Sequence, residues 1–373
     1  MRGKIKKKAG ALTAAGILSL SCVLTAGVPS HAEAGGLGLG DVGTIIQAGA
    51  YYAQAKAQLK EAFTYLDTTP EGQQEVLQSA EANAGVDDDP VLLERLGAIM
   101  ENMTKAIGQV DQTVYDLPYM YFLTPDESFN AACSMGHVMQ VNRGAFSLVA
   151  NDDELAVVLG HEMGHGQAHH VAKANMRRFD RVQLAKIGAE ALGGTTLAGI
   201  VAGGLYNSSI VHSDKKQEKE ADALSWDYMI HSQYNPGATA AVWQRVLEQE
   251  GNNEQSGIEL WFNPSDHPNH KARRDTYEKK LEEYSGKHVA VQDGEVRVNG
   301  KKFVTPAPAG GMSTEERAYF VEGNLATAYH RHYDKEAARA EGNTVMLGEQ
   351  PILTCVDGDE DVQVLVKRLN QDK

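Results

Sequence analysis

The chain has 373 residues, enough for more than one folded unit, with 35 basic against 50 acidic side chains and a net charge of −15. Such acidity argues against nucleic acid and anionic membrane surfaces as partners.

At the start, Arg2, Lys4, Lys6, Lys7 and Lys8 precede an apolar run from Ala9 to Val28, and Ala32-Glu33-Ala34 offers a small-x-small cleavage site. Residues 1–34 therefore read as a secretory signal peptide, with the mature chain beginning at Gly35 in the periplasm or outside the cell. The alternative is an uncleaved N-terminal anchor, because the run approaches membrane-spanning length. Its glycines, serines and threonines lower its hydrophobicity, which favours cleavage. Lipidation at Cys22 is disfavoured, since Ser19 stands where a lipobox wants Leu. Without the leader's five basic residues and one acidic residue, 30 basic face 49 acidic, a net −19. Cys133 and Cys355 then remain, and one disulfide or two buried thiols are both open.

Residues 35–115 read as mostly helical, with one segment near Tyr51 to Leu66 and a second near Pro90 to Val110. Asp152-Asp153-Glu154 next crowds acids into a first helical turn, where the dipole favours them, and apolar residues recur at helical intervals after it. That helix carries His161-Glu162-Met163-Gly164-His165. Residues four apart lie on one helical face, so His161 and His165 can grip one zinc ion while Glu162 faces the water beside it. The metzincin continuation is absent, because Ala168 and Val171 stand where that pattern needs Gly and His. His169 and His170 are expected at the surface.

Asn175 to Ala191 has helical spacing, and Ala191 to Val211 is a Gly- and Ala-rich apolar stretch. Five glycines make a buried helix or loop the better reading of it than a membrane hairpin. Within Gln217 to Leu224, Glu218 and Asp222 share a helical face while Glu220 points elsewhere. Either of the pair can complete a zinc site while the other accepts a hydrogen bond from a ligand histidine's free N–H. Asn263-Pro264-Ser265-Asp266-His267-Pro268 is a Pro-bounded loop. His267 could approach the zinc or stabilise an oxyanion. Alternatively the loop packs beneath the site, with Arg273 binding a carboxylate or backbone carbonyls.

Beyond Gly286 the style changes. Residues 289–292, 295–298 and 301–304 read as three strands joined by Asp293-Gly294 and Asn299-Gly300 turns, which supply the positive φ that two-residue hairpins need. A Pro/Gly linker runs from Thr305 to Met312, and Ser313-Thr314-Glu315-Glu316 caps a helix reaching about Tyr333. Val345 to Leu347 and Pro351 to Cys355 look like strands, and Val362 to Leu369 a last short helix.

These blocks together resemble the HtpX and CAAX-prenyl-endopeptidase family of zinc metallopeptidases, family forty-eight of that series. Four stretches carry the resemblance: Phe129-Asn130-Ala131 with Gly136 to Gly144, the Asp153-Glu154-Leu155-Ala156 lead-in to His161, Glu218 to Asp222, and His267-Pro268 with Arg273 five residues on. They span roughly residues 115–285 in the family's order, with Cys133-Ser134-Met135 replacing its second Gly and an aromatic. The last block is that of its soluble, exported branch. The resemblance implies an α+β fold with a mainly helical, gluzincin-type core, a short sheet and an extended segment before the zinc helix. It implies one zinc per chain on His161, His165 and Glu218, with Asp222 behind a ligand histidine, Glu162 as the catalytic base and His267 as a further catalytic candidate. Asn130 falls in the substrate-binding strand, and extended substrate would add beside residues 136–142. Residues 35–285 would be the peptidase domain and 286–373 a small α+β domain of substrate- or partner-binding role. Two functions follow: an exported zinc endopeptidase acting on unfolded or misassembled envelope proteins, or a latent peptidase that serves as a holding or assembly factor. An intact Glu162 favours the first.

Overall fold

The computed structural model describes residues 39–191, 215–251 and 270–373. The leader, residues 192–211 of the apolar stretch and His267 with its loop lie outside the described residues. Among the described residues two compact units emerge, one of residues 39–65 with 172–191 and one of residues 66–171 with 215–251 and 270–373. In the first, the Tyr52 hydroxyl donates to Asp180 at 2.8 Å, Lys56 pairs with the same carboxylate at 2.8 Å, and Tyr52 stacks on Phe179. Among the described residues no helix is long and apolar enough to cross a membrane.

The fold is α+β and mainly helical. In chain order come α1 (Leu39–Thr68), α2 (Pro70–Ala84), α3 (Pro90–Val110), β1 (Met120–Thr124), β2 (Ala131–Cys133), β3 (Val138–Asn142), α4 (Asp152–Gln167) and α5 (His170–Ala191). After them follow α6 (Lys215–His231), α7 (Ala238–Gly251), α8 (His270–Tyr284), β4 (Val289–Gln292), β5 (Glu295–Val298), β6 (Lys301–Val304) and α9 (Thr314–His330). Then β7 (Arg339–Glu341), β8 (Thr344–Leu347), β9 (Gln350–Thr354) and α10 (Val362–Asp372) complete the chain. Local chemistry sets the starts. Thr69, Asp89 and Asn151 each accept an N–H of the helix they precede, and prolines open α2 and α3, where the missing donor costs nothing.

β1 and β3 pair in parallel and β2 and β3 antiparallel, in the order β1-β3-β2. This corrects the expected place of substrate. Residues 138–142 are the middle strand, already paired on both sides, and β1 and β2 are the strands at the sheet's two edges. Gly136 leads into β3 at φ 68, where a Cβ would meet the Leu66 carbonyl at 2.7 Å.

The turn dipeptides fold as read: Asp293 and Gly294, and Asn299 and Gly300, all have positive φ, and β4, β5 and β6 form a meander. β7, β8 and β9 form another, and α9 lies against α7, α8, β4 and β9. Ser313 and Glu316 cap α9 reciprocally. α9 is also tied to α4. Arg245 of α7 reaches Glu154 at 3.2 Å and Glu316 at 3.1 Å, all three largely buried.

Two carboxylates thus share one guanidinium. Burial pushes Glu316 up to about 7, against the opposing pull of Arg245 and the Ser313 N–H. An acid raised in the folded state binds its proton more tightly there than in the unfolded chain. Its favourable contribution is therefore complete below its ordinary value of 4.5 and is lost as pH rises through about 7. Glu316→Gln keeps a capping-box residue, so its thermal midpoint should fall less than the parent's between those two pH values. A parent-like slope in calorimetry would show that Glu316 is not the group titrating.

Candidate metal centre

The centre is built on α4, whose Leu155, Ala156, Val158, Leu159 and Met163 are buried and turn the opposite polar residues toward α6. Two glycines set how close α6 comes. A Cβ on Gly160 would meet Met103 Cε at 2.8 Å and Ser225 Oγ at 3.3 Å, and one on Gly164 would meet the Ala221 carbonyl at 3.1 Å. The Ser225 hydroxyl also donates to the Val157 carbonyl at 3.2 Å. This close packing brings the first turn of α6 under His161 and His165.

Three donor side chains converge there. His161 Nε2 lies 3.1 Å from His165 Nε2 and 3.4 Å from Glu218 Oε2, and His165 Nε2 lies 3.3 Å from Glu218 Oε1. A tetrahedral ion bonded at about 2.0–2.1 Å has ligand atoms about 3.3 Å apart, so the triangle fits zinc. The chemistry fits as well, because two imidazoles and one carboxylate are a known catalytic zinc set that leaves a coordination position open. Among the described residues this is the one group of three such side chains able to hold a metal ion.

Behind the donors, His161 Nδ1 lies 3.1 Å from Asp222 Oδ1. Arg273 donates to the same oxygen, and the Tyr277 hydroxyl donates to the Asp222 carbonyl at 3.1 Å. Arg273 belongs to the buried stripe His270, Arg273, Tyr277 and Leu281 of α8, and its guanidinium lies 3.8 Å over the Trp243 ring. So it binds a carboxylate, one of the two roles open to it. Burial alone would push His161 down, but its hydrogen bonds to the Asp222 and Glu218 carboxylates raise it to about 10 in the metal-free protein. Asp222 is held at about 2: burial acts upward, and the Arg273 charge and His161 outweigh it.

Glu162 is aimed differently. The Cys133 N–H of β2 donates to its Oε2 at 3.2 Å. Burial raises its carboxyl, with His165 and His161 pulling the other way. That direction suits a group that must take a proton and return it. Cys133 and Cys355 are separate thiols, and burial pushes the Cys133 thiol well up. At the head of β2, the Asn130 carbonyl accepts the Asn142 N–H at 2.9 Å.

One expectation changes. His170 is not at the surface: it is 2% exposed, and its Nδ1 is 2.8 Å from His165 Nδ1. Glu220 does point away from the donor triangle, but to His170, at 3.3 Å. His169 is half exposed and pairs with Asp67 at 2.9 Å. The signal for His170 was absent, because Gln167-Ala168-His169 holds neither Gly nor Pro to announce the helix break there.

Known proteins similar to this chain are metalloproteases or proteases. A beta-barrel assembly-enhancing protease of Escherichia coli is 22% identical over 172 residues, 43% of this chain and 34% of that protein. A mitochondrial metalloendopeptidase of Schizosaccharomyces pombe is 30% identical over 170 residues, 45% of this chain and 47% of its own. The metalloprotease LoiP of Escherichia coli is 24% identical over 172 residues, covering 65% of its length. The chain thus matches only a third to two thirds of these relatives. Residues 92–280, half of the chain and all of the donor triangle, match peptidase family M48, and the protein belongs to that family.

Proposed function

We propose that the protein is an exported zinc endopeptidase that hydrolyses peptide bonds of unfolded or misassembled envelope proteins. The observation that carries the chemistry is the triangle of His161, His165 and Glu218 beside the carboxylate of Glu162. A bound zinc would supply a Lewis acid and a water of lowered pKa. His161, His165 and Glu218 would hold it, and Asp222 fixes the His161 ring by taking its Nδ1–H. Glu162 takes the proton of the attacking water and passes it to the departing amine, so the general base becomes the general acid. The Cys133 N–H keeps the carboxylate in place for both transfers. An extended peptide, with Asn130 at the head of its strand, suits the edge position of β2 better than the paired β3. Envelope substrates, and a periplasmic or extracellular location after cleavage at Ala34, draw on the leader's composition and on the name of the assembly-enhancing relative.

The test is zinc content together with digestion of an unfolded protein such as casein. One zinc per chain is expected, with digestion abolished by a chelator and restored by zinc. Glu218→Ala should lose the metal. Zinc without digestion would sink the peptidase reading in favour of a holding or assembly role, and full metal in Glu218→Ala would move the third ligand elsewhere.

A further inference from the structure

Asp222 accounts for the back of His161. The back of His165 faces a different group. α4 ends at Gln167, and His169 adopts φ 52 with its N–H on the Gly166 carbonyl, which breaks the helix there. Its ring is anchored on Asp67 at 2.9 Å. His170, the first residue of α5, is thereby turned beneath His165, with the two rings edge to face at 4.9 Å. The Gln217 amide donates to the His170 carbonyl at 3.2 Å and holds that turn against α6. The nitrogens of the His170 ring face His165 Nδ1 at 2.8 Å and Glu220 Oε2 at 3.3 Å.

This next step rests on the zinc reading above. A His165 that offers Nε2 to a metal must carry its proton on Nδ1. That proton can point only at the lone pair of His170 Nδ1. His170 then carries its own proton on Nε2, directed at the Glu220 carboxylate. Every tautomer in the row is determined by its neighbour. We propose that His170, backed by Glu220, is the positioning residue of His165, a second support on the opposite side of the donor triangle from Asp222 and Arg273. A packing role alone would need the bulk of an imidazole but not an acceptor at its Nδ1 position.

The two roles separate by substitution. Zinc dissociation constants of the full chain would be measured by competition with a chelator, beside the thermal midpoint of the metal-free protein. His170→Ala should weaken zinc about 10- to 100-fold, the usual effect of removing a ligand's hydrogen-bond partner. His170→Asn places an amide oxygen where Nδ1 stood, accepts the same proton, and should return affinity to within a few-fold of the parent. Glu220→Ala, at a half-exposed side chain, should weaken zinc by a few-fold and leave the metal-free midpoint in place.

Parent-like affinity in His170→Ala overturns the proposal, and so does equal weakness in His170→Asn and His170→Ala, which would mean bulk alone matters. If His170→Ala does not fold, unchanged affinity in Glu220→Ala or gross loss in His170→Asn overturns it. A parent chain that binds no zinc would instead remove the metal site itself, and the relay with it.

Discussion

Glu162→Gln is expected to hold zinc as tightly as the parent and to digest an unfolded protein more slowly by a factor on the order of 10²–10⁴. The separation follows from geometry. Glu162 is outside the donor triangle, so the ligand set is intact in the variant. A glutamine keeps the volume, and its amide oxygen can still accept the Cys133 N–H that holds Glu162 at 3.2 Å. What the amide lacks is a site for a proton. Removing general base and general acid together costs about 3–5 kcal/mol at 1.36 kcal/mol per tenfold in rate. Initial rates and metal content on the same preparations decide it. Digestion at the parental rate would mean that another group takes the proton.

Arg273→Ala is expected to destabilise the metal-free protein by up to roughly 3–5 kcal/mol, because it leaves the largely buried Asp222 carboxylate with His161 as its one charged partner among the described residues. Arg273 is 3% exposed and held flat over Trp243, so no water can take its place cheaply. The Asp222 carboxyl, now at about 2, would rise, and its hold on His161 Nδ1 would weaken with it. Zinc affinity should therefore fall about 10- to 100-fold in addition. Arg273→Lys should be intermediate in both, since a lysine restores the charge but not the planar stack on Trp243. Urea unfolding and chelator competition measure the two effects separately. An Arg273→Ala protein with parental stability and affinity would show that Asp222 needs no cation.

The route from residues to this site was legible wherever a local rule carried it. The histidine spacing placed two donors on one face of α4, and three acids marked its first turn. Asp293-Gly294 and Asn299-Gly300 placed β4, β5 and β6 residue for residue. Other elements carried no such mark. α2 buries only Gly72 and Gln73, so no apolar stripe distinguishes its Gln- and Glu-rich stretch, though Thr69 and Pro70 open it in the usual way. β7 is three residues, Arg-Ala-Glu, largely exposed, and gains its identity from pairing with β8.

Choosing Glu218 over Asp222 took a resemblance to known peptidases, since a helical face offers both carboxylates alike. In the structure the choice depends on distance between helices. Gly160 and Gly164 bring α6 close, which sets Glu218 level with both Nε2 atoms and Asp222 level with His161 Nδ1.

By itself, then, the sequence determined the metal chemistry, because ligand type and helical spacing are properties of neighbouring residues. Only the tertiary structure decided which carboxylate meets the histidines, which strand lies in the middle of the sheet, and that His170 is buried behind His165. Each of these depends on packing between segments far apart in the chain, or on a left-handed turn at a residue that rarely makes one.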